Sequence, residues 1–543
     1  MLIRKLLNVA LFSSIAMSQN GFAADLDCTA YFDGTQLTIP CIKIKGLEST
    51  FAGNFTIEQS SPLLLRLNEA VTTQVETPSE QLNGIFVRRG YGELLVLQDG
   101  LFSLYDLNSQ SCTLVEESLP IEFLAIEYPN VLVAEDNSYF NTLEKHQAGD
   151  THPYTYTRLQ ALPNQCLDET EQPITDFSVN FEALWHSFND NYPFFLRKGV
   201  NWQTVYNEAK PLLSEVNSDE ELLDLFSEML TPLNDIHVDI YVDADQDAVV
   251  ESYHTILSWL LRAVNTYRSE QGLDSLEQAF AAQDEFDNFE AFVSELLENE
   301  QGHQQFVQSF IQQASGLIPS YVTDLTCSAP TVCFGNINDN VAYLNITAML
   351  GYTDEDNTEQ DIEFMQQFLA DFIPSLTEKA ALIIDVRNNV GGYDAISDLI
   401  AGHFIEQPQV AYHKKAKFAD GFANQHSITL TPQIEQPFTK PVYVLIGEQT
   451  YSGGEIFSLS MKSLPNVTLV GEPTQGGLSD KINRTLPNGW IFSVPSEVYS
   501  DLNGNEFEEV GVPADIESLY WLPEDVRVGK DSAIEYVLEI LKK

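Results

Sequence analysis

Basic residues are scarce in this chain. Lysine and arginine number 27 among 543 residues, against 80 aspartates and glutamates, for a net charge of −53. Such a surface repels phosphate backbones and anionic lipids, which argues against nucleic acid and membrane surfaces as partners. A generally acidic, solvated exterior suited to a salty environment explains the charge better than any one cationic partner. Long apolar runs are also lacking. The N-terminal run from Leu6 to Met17 follows Arg4 and Lys5 and is too short to span a bilayer. With Gly21-Phe22-Ala23 behind it, this segment reads as an export signal over 1–23. No later segment reads as a transmembrane helix, so the mature protein is expected to be soluble, in the periplasm or secreted. Zinc-like spacing is missing too, since none of the six cysteines sits beside a histidine in a ligand pattern. An even number in an exported chain favours disulfides. Pairing by neighbours gives Cys28–Cys41, Cys112–Cys166 and Cys327–Cys333, one of fifteen possible connectivities.

Between the signal and about Thr170, short β-like runs alternate with turns, as in Gln36-Leu37-Thr38-Ile39, Gly84-Ile85-Phe86-Val87 and Glu93-Leu94-Leu95-Val96-Leu97. A separate β domain over 24–170 is expected, with no catalytic constellation and a structural or adaptor role. Helical periodicity follows. Phe181, Leu184, Trp185 and Phe188 recur at helix spacing, as do Leu222, Leu225, Phe226 and Met229 before a stop near Pro232. Further amphipathic helices are expected from Val249 to Ile318, which completes a helical subdomain with an insert over 171–332. Asp243, Asp245 and Asp247 suggest a calcium loop, but Ala248 and His254 occupy the positions of its glycine and bidentate glutamate, so this is a solvated turn. From residue 333 to 543 strands and helices alternate. A strand is expected at Val341–Thr347, a helix at Glu359–Ser375, a buried strand at Ala380–Val386, a helix at Ala395–Phe404, and then the run Val444-Leu445-Ile446-Gly447. That order predicts an α/β core.

Two stretches in this core carry chemistry. In Gly447-Glu448-Gln449-Thr450-Tyr451-Ser452-Gly453-Gly454-Glu455 a buried strand ends in a turn, and Ser452 stands at a helix start. A hydroxyl there lies beside free N–H groups able to stabilise an oxyanion. Taken alone, Ser452 and Glu455 read first as a capping box. Thr450 also stands where a nucleophile elbow of the α/β-hydrolase type needs glycine. The second stretch is Asp385-Val386-Arg387-Asn388-Asn389-Val390-Gly391-Gly392, a glycine turn after a buried strand whose N–H groups could face the same oxyanion.

Together these stretches resemble the C-terminal-processing (tail-specific) and tricorn-type serine peptidases. Asp385, Arg387, Asn389, Gly391 and Gly392 match that family's D-x-R-x-N-x-G-G segment, and Thr450, Ser452 and Glu455 its T-x-S-x-x-E segment. Gly471-Glu472-Pro473-Thr474 resembles its G-E-x-T landmark. Gly511-Val512-Pro513-Ala514-Asp515 resembles G-V-x-P-D, with Ala514 in place of proline. The resemblance covers Asp176 to the C-terminus. It implies a ClpP/crotonase-like α/β catalytic core with an N-terminal helical subdomain, the separate β domain lying outside it. Ser452 is implied as nucleophile. Gly477 stands where one branch of the family carries a catalytic lysine, so a serine–lysine mechanism is not expected. The other branch, resembling tricorn protease, takes a histidine from an L-x-D-x-H segment, which Leu233-Asn234-Asp235-Ile236-His237 matches. His237 is therefore the expected base, and the other eight histidines are read as structural. Ile236 departs from the small polar residue that belongs to tricorn's catalytic group. Glu508 is the glutamate expected to polarise the site, with Glu509 as fallback; Glu506, Glu508 and Glu509 could equally be an acidic hairpin edge. The region between His237 and Cys327 shows no glycine-rich carboxylate loop of a PDZ domain, so tail-specific reading is not expected.

The implied reaction is acyl transfer to Ser452 from a peptide or unfolded polypeptide, with the N–H groups of Gly453 and of Gly391 or Gly392 binding the oxyanion. No metal and no organic cofactor are expected. A binding protein on the same fold with a weak or dead site is the alternative, as retinoid-binding relatives of the family illustrate; an α/β-hydrolase-like esterase comes third.

Overall fold

The computed structural model describes residues 31–32, 36–42, 51–56, 83–88, 90–120, 132–133, 142–145, 151, 154–166, 174–242, 312, 315–353, 357–419, 421–423, 425–518, 521 and 528–542. The export signal, the Cys28–Cys41 pair, the acidic turn at 243–247 and the helices expected from Val249 onward to residue 311 lie outside them. The chain divides into two compact units, Met1–Glu76 and Thr77–Lys543. The β-rich stretch expected over 24–170 straddles this division. In the first unit, β1 (Tyr31–Phe32), β2 (Gln36–Ile42) and β3 (Phe51–Thr56) form an antiparallel sheet in that order.

The second unit begins with a seven-stranded antiparallel sheet. Its strands are β4 (Gly84–Arg88), β5 (Glu93–Gln98), β6 (Leu101–Leu107), β7 (Cys112–Pro120), β8 (Leu132–Val133), β9 (Thr142–Lys145) and β10 (Tyr154–Leu159), in the order β7-β6-β5-β4-β10-β9-β8. Alternation along β4 and β5 sends Phe86, Leu95 and Leu97 to one apolar face and Val87 and Leu94 to the other. The Cys112–Cys166 disulfide closes the second face.

Three helices follow, each started by a side-chain cap. Asp176 accepts from the N–H of Ser178 at the start of α1 (Phe177–Asn191), Asn201 from Thr204 at α2 (Trp202–Ala209), and Ser218 from Glu221 at α3 (Asp219–Leu230). Their stripes, including Phe181, Leu184, Phe188, Leu222 and Phe226, do not form a closed core of their own. They are completed by Leu486, Trp490, Phe492 and Val494 from far along the chain. Those residues lie on or beside β21 (Lys481–Thr485) and β22 (Ile491–Pro495), a hairpin whose second strand also pairs with β11 (Ile240–Tyr241).

The rest of the unit is built on β12 (Thr323–Ala329), β13 (Val332–Asn338), β14 (Val341–Ile346), β15 (Ala381–Asp385), β19 (Val442–Ile446), β20 (Val467–Gly471) and β24 (Ile516–Glu517), ordered as named. β14 to β24 run parallel, while β12 and β13 form an antiparallel edge carrying the Cys327–Cys333 disulfide. Helices cover both faces, which is why β15 and β19 are buried at every residue and read as unbroken apolar runs. Leu382 and Ile384 face α4 (Thr358–Ser375), α5 (Asp394–Ala401) and α6 (Gly453–Lys462), while Ala381 and Ile383 face α7 (Ser532–Leu541). A small sheet of β16 (Gln409–Phe418), β17 (Gly421–Phe422), β18 (His426–Leu430) and β23 (Glu497–Ser500) lies beside them. The observed class is therefore mixed α/β with several sheets.

Candidate active site

Ser452 occupies the turn between β19 and α6 with φ 52° and ψ −126°. Positive φ in a residue with a side chain is strained by roughly 1–3 kcal/mol and persists only where the surroundings impose it. Here they do. Thr450 Oγ1 donates to the Val386 carbonyl at 2.7 Å, and the Tyr451 N–H donates to the Asn389 carbonyl at 3.1 Å. The turn is thereby stitched to the end of β15. Glu455 supplies half of the expected capping box, its carboxylate accepting from the Ser452 N–H at 3.3 Å.

The Asp385–Gly392 stretch divides into an anchor and a turn. Arg387 is fully buried, and its guanidinium binds Asp385 and, 144 residues on, Asp531 at 2.6–3.0 Å. Asp531 is the N-cap of α7, so the motif ties this helix to the sheet. Asp385 and Arg387 are thus structural. Asn389 shapes the turn, donating to the Ile346 carbonyl at 2.9 Å and accepting from the Gly391 N–H at 2.9 Å. This corrects the expectation for Gly391: its N–H is already taken by Asn389. Among the described residues no internal acceptor faces the N–H of Gly392 or of Gly453. The two strands of backbone touch closely. A Cβ on Gly391 would lie 2.6 Å from the Ser452 Cβ, and one on Gly453 2.5 Å from the Gly392 carbonyl oxygen. Gly391 instead acts by letting the turns approach.

His237 arrives from the opposite side. A short 3₁₀ turn ends in left-handed Asn234, with φ 44°, and β11 begins three residues after His237. The Asp235 carboxylate accepts from the His237 N–H at 3.0 Å, and Asp235 is itself held by the Tyr192 hydroxyl at 2.9 Å. The Ser493 hydroxyl donates to the His237 carbonyl at 2.7 Å. His237 Nε2 then lies 3.3 Å from Ser452 Oγ, within reach of a hydrogen bond. Nδ1 is buried and has no partner among the described residues. Burial lowers the imidazole below its ordinary 6.5, opposed by the charge of Asp235.

Two buried carboxylates flank the pair. Glu455 accepts from Thr474 Oγ1 at 2.5 Å and from the N–H groups of Gly476 and Gly477 at 2.7 Å each. Burial pushes its carboxyl up to about 7 against the pull of these donors. Glu508 accepts from the N–H groups of Leu478 and Ser479 at 3.0 Å each. Burial, then the charges of Asp235 and Glu455, drive its carboxyl well above the usual carboxylate range. At 5% exposure Glu508 is no hairpin edge, whereas Glu506 and Glu509 pair with Arg197 and Lys198. No hydrogen bond joins Glu508 to His237 or Ser452. A cavity of about 10 Å³ lies among Asp235, Ile236, Gly477 and Glu508, room for about one water. A Cβ on Gly477 would meet Ile236 Cδ1 at 2.7 Å, so Ile236 fills the space beside the position where the other branch has its lysine.

Ser452, His237, Gly392 and Gly453 thus converge, and Glu508 stands one layer behind. Sequence reasoning missed Asp531, Ser493 and the N–H cradle of Glu455. For Asp531 the one local signal is an N-cap aspartate before the apolar helix Ser532–Leu541. Ser493 carries no signal at all.

These features define an α/β protein with a serine–histidine couple at a helix N-terminus. The family model of peptidase family S41 matches residues 340–518, and that of the tricorn protease C1 domain matches residues 173–231. Over these segments the chain is similar to the tail-specific/tricorn-type S41 peptidases. Tricorn protease of Thermoplasma volcanium is 30% identical over 181 residues, which is 33% of this chain and 16% of the relative. The carboxy-terminal processing protease CtpA of Bacillus subtilis is 31% identical over 110 residues, 20% of this chain and 22% of the relative. The chain therefore spans less than a quarter of either relative's length. Among solved structures, mature CPAF covers 67% of this chain and 96% of its own, with 13% identity and a TM-score of 0.43.

Proposed function

We propose that the protein is an exported serine endopeptidase acting on peptides or unfolded polypeptides. The observation that carries this is the 3.3 Å approach of His237 Nε2 to Ser452 Oγ, across 215 residues of sequence. In the proposed reaction Ser452 Oγ attacks the scissile carbonyl and His237 Nε2 takes its proton. The N–H groups of Gly453 and Gly392 receive the oxyanion, each contributing about 3–4 kcal/mol of barrier lowering. As the tetrahedral species collapses, the C–N bond breaks and His237 returns the proton to the leaving amine. Water then repeats the sequence on the acyl-enzyme, with His237 as base, to release the acid. Glu508 polarises the site from behind Ile236, across the small cavity that it shares with Asp235 and Gly477. Export is supported by the Cys112–Cys166 and Cys327–Cys333 disulfides, which persist in oxidising compartments.

The test is labelling of the full chain with a fluorophosphonate probe. Labelling of the parent, lost in both Ser452→Ala and His237→Ala, supports the reading. A folded parent that never labels and hydrolyses no unfolded polypeptide would favour a binding protein instead.

A further inference from the structure

The antiparallel sheet of β4 to β10 carries no catalytic motif, yet one end of it grips the element that holds His237. On β6, Asp106 spends its whole carboxylate on β21: Oδ1 accepts from Arg484 Nη1 at 2.7 Å and Oδ2 from the Thr485 N–H at 2.6 Å. Arg484 is 4% exposed and lies against the backbone of the preceding turn, where a Cβ on Gly92 would meet its Nη2 at 2.8 Å. Neighbouring contacts fix the same end of the sheet. Tyr91 donates to Glu497 of β23, Asn191 of α1 donates to the Gly90 carbonyl, and Asn108 donates to Ser187 of α1 at 3.1 Å.

From β21 the connection crosses the hairpin. Arg484 pairs with Phe492 and Asn483 with Ser493 on β22. Phe492 pairs in turn with Ile240 of β11. Ser493 is the residue whose hydroxyl holds the His237 carbonyl, while it also accepts from the Asp239 N–H at 2.9 Å and its own N–H donates to the Asp239 carbonyl at 2.9 Å. The β22 edge of the hairpin thus carries the histidine segment, and its outer strand β21 is fastened to Asp106.

We propose that Asp106 is a positioning residue for His237, acting through Arg484 and Thr485 on the β21–β22 hairpin, so that the β-sheet module is a working part of the active-site framework. The inference rests on the serine–histidine reading above. It differs from an adaptor role in one respect: loosening the module at this point alters chemistry at Ser452 without unfolding the protein. The charged groups that face Asp106 are Arg484 and Glu93, and those that face His237 are Asp235, Lys481, Asp239 and Lys198.

The experiment measures the second-order rate of fluorophosphonate labelling, per folded molecule and across the neutral pH range, on the full chain. The variants are Asp106→Asn, the double Asp106→Leu/Arg484→Leu, and Ser103→Ala, three residues earlier on β6, as a control within the same sheet. The double variant removes both members of a buried ion pair together, a change that is often neutral for stability. Both Asp106 variants are expected to label on the order of 10-fold to 10²-fold more slowly, the scale of a misplaced catalytic group. The acid limb of the profile is expected to move up toward the ordinary histidine value as the imidazole gains water. Ser103→Ala, whose hydroxyl accepts, among the described residues, only from the exposed Ser118 N–H, is expected to match the parent. Unchanged rates and an unmoved acid limb in both Asp106 variants overturn the inference, as does loss of cooperative folding in both. A parent that never labels overturns the serine–histidine reading, and this inference with it.

Discussion

Ser452 and His237 reach the same point from regions built in different ways. Ser452 follows β19, buried at every residue, and precedes α6, whose Ile456, Phe457, Leu459 and Met461 are all buried in the main core. His237 sits between a 3₁₀ turn that ends in one left-handed residue and a two-residue strand. Its backbone is held by the side chains of Asp235 and Ser493. Ser452 lies between two elements packed in the main core, with two hydrogen bonds finishing its turn; His237 is flanked by buried Leu233, Val238 and Ile240, and polar contacts fix its own backbone. Lesions in the two regions therefore have different signatures, stability on the Ser452 side and chemistry on the His237 side.

The sharpest break of the pair is chemical. Ser452→Ala and His237→Ala are each expected to lower peptide hydrolysis by on the order of 10⁶-fold, while the urea midpoint stays close to the parent's. The pair made together should cost no more than either alone. Additive losses would show that His237 does not act through Ser452.

On the packing side, Arg387→Met leaves Asp385 and Asp531 as uncompensated buried carboxylates. A loss of about 3–5 kcal/mol is expected in equilibrium unfolding, with labelling of the remaining folded fraction little changed. A drop in labelling without a drop in stability would reverse the assignment of this motif as structural.

Gly477 probes the space between the two regions. Gly477→Ala brings a methyl group against Ile236, the residue before His237, and is expected to slow labelling by about 10-fold through displacement of the base. Adding Ile236→Ala should restore most of the rate. Failure of that rescue would mean that the glycine is required for the Glu455 cradle instead.

The smallest effect is that of pH. His237 must be neutral to accept a proton, and burial lowers its pKa. Activity should therefore rise with pH through an acid limb lying below 6.5 and hold above it. Asp235 opposes the lowering, so Asp235→Asn should move that limb further down. An upward move would show that Asp235 acts only as a backbone clamp.

Much of the packed region was legible. Buried parallel strands have to be apolar on both faces, so β14, β15 and β19 stood out, and the helix expected at Glu359–Ser375 is α4 at Thr358–Ser375. Cys112–Cys166 and Cys327–Cys333 pair as neighbours. The polar region was legible only in part. That His237 belongs with Ser452 came from the family resemblance, since nothing local relates residues 215 apart. The commitment of the Gly391 N–H depends on the rotamer of Asn389, which composition and spacing do not report. Ser493 and Asp106 are ordinary polar residues on strands, and their importance arises from register, visible only once β21, β22 and β11 are paired.

The tie between Arg387 and Asp531 bears on the order in which the molecule is made. Arg387 emerges from the ribosome just after Asp385 but long before its second carboxylate partner, Asp531, 144 residues later. Until then α7 is not fastened to the sheet, and the end of β15 lacks half of its anchor. Chain order thus places the closing of this tie after the last strand of the parallel sheet, Ile516–Glu517, has been made.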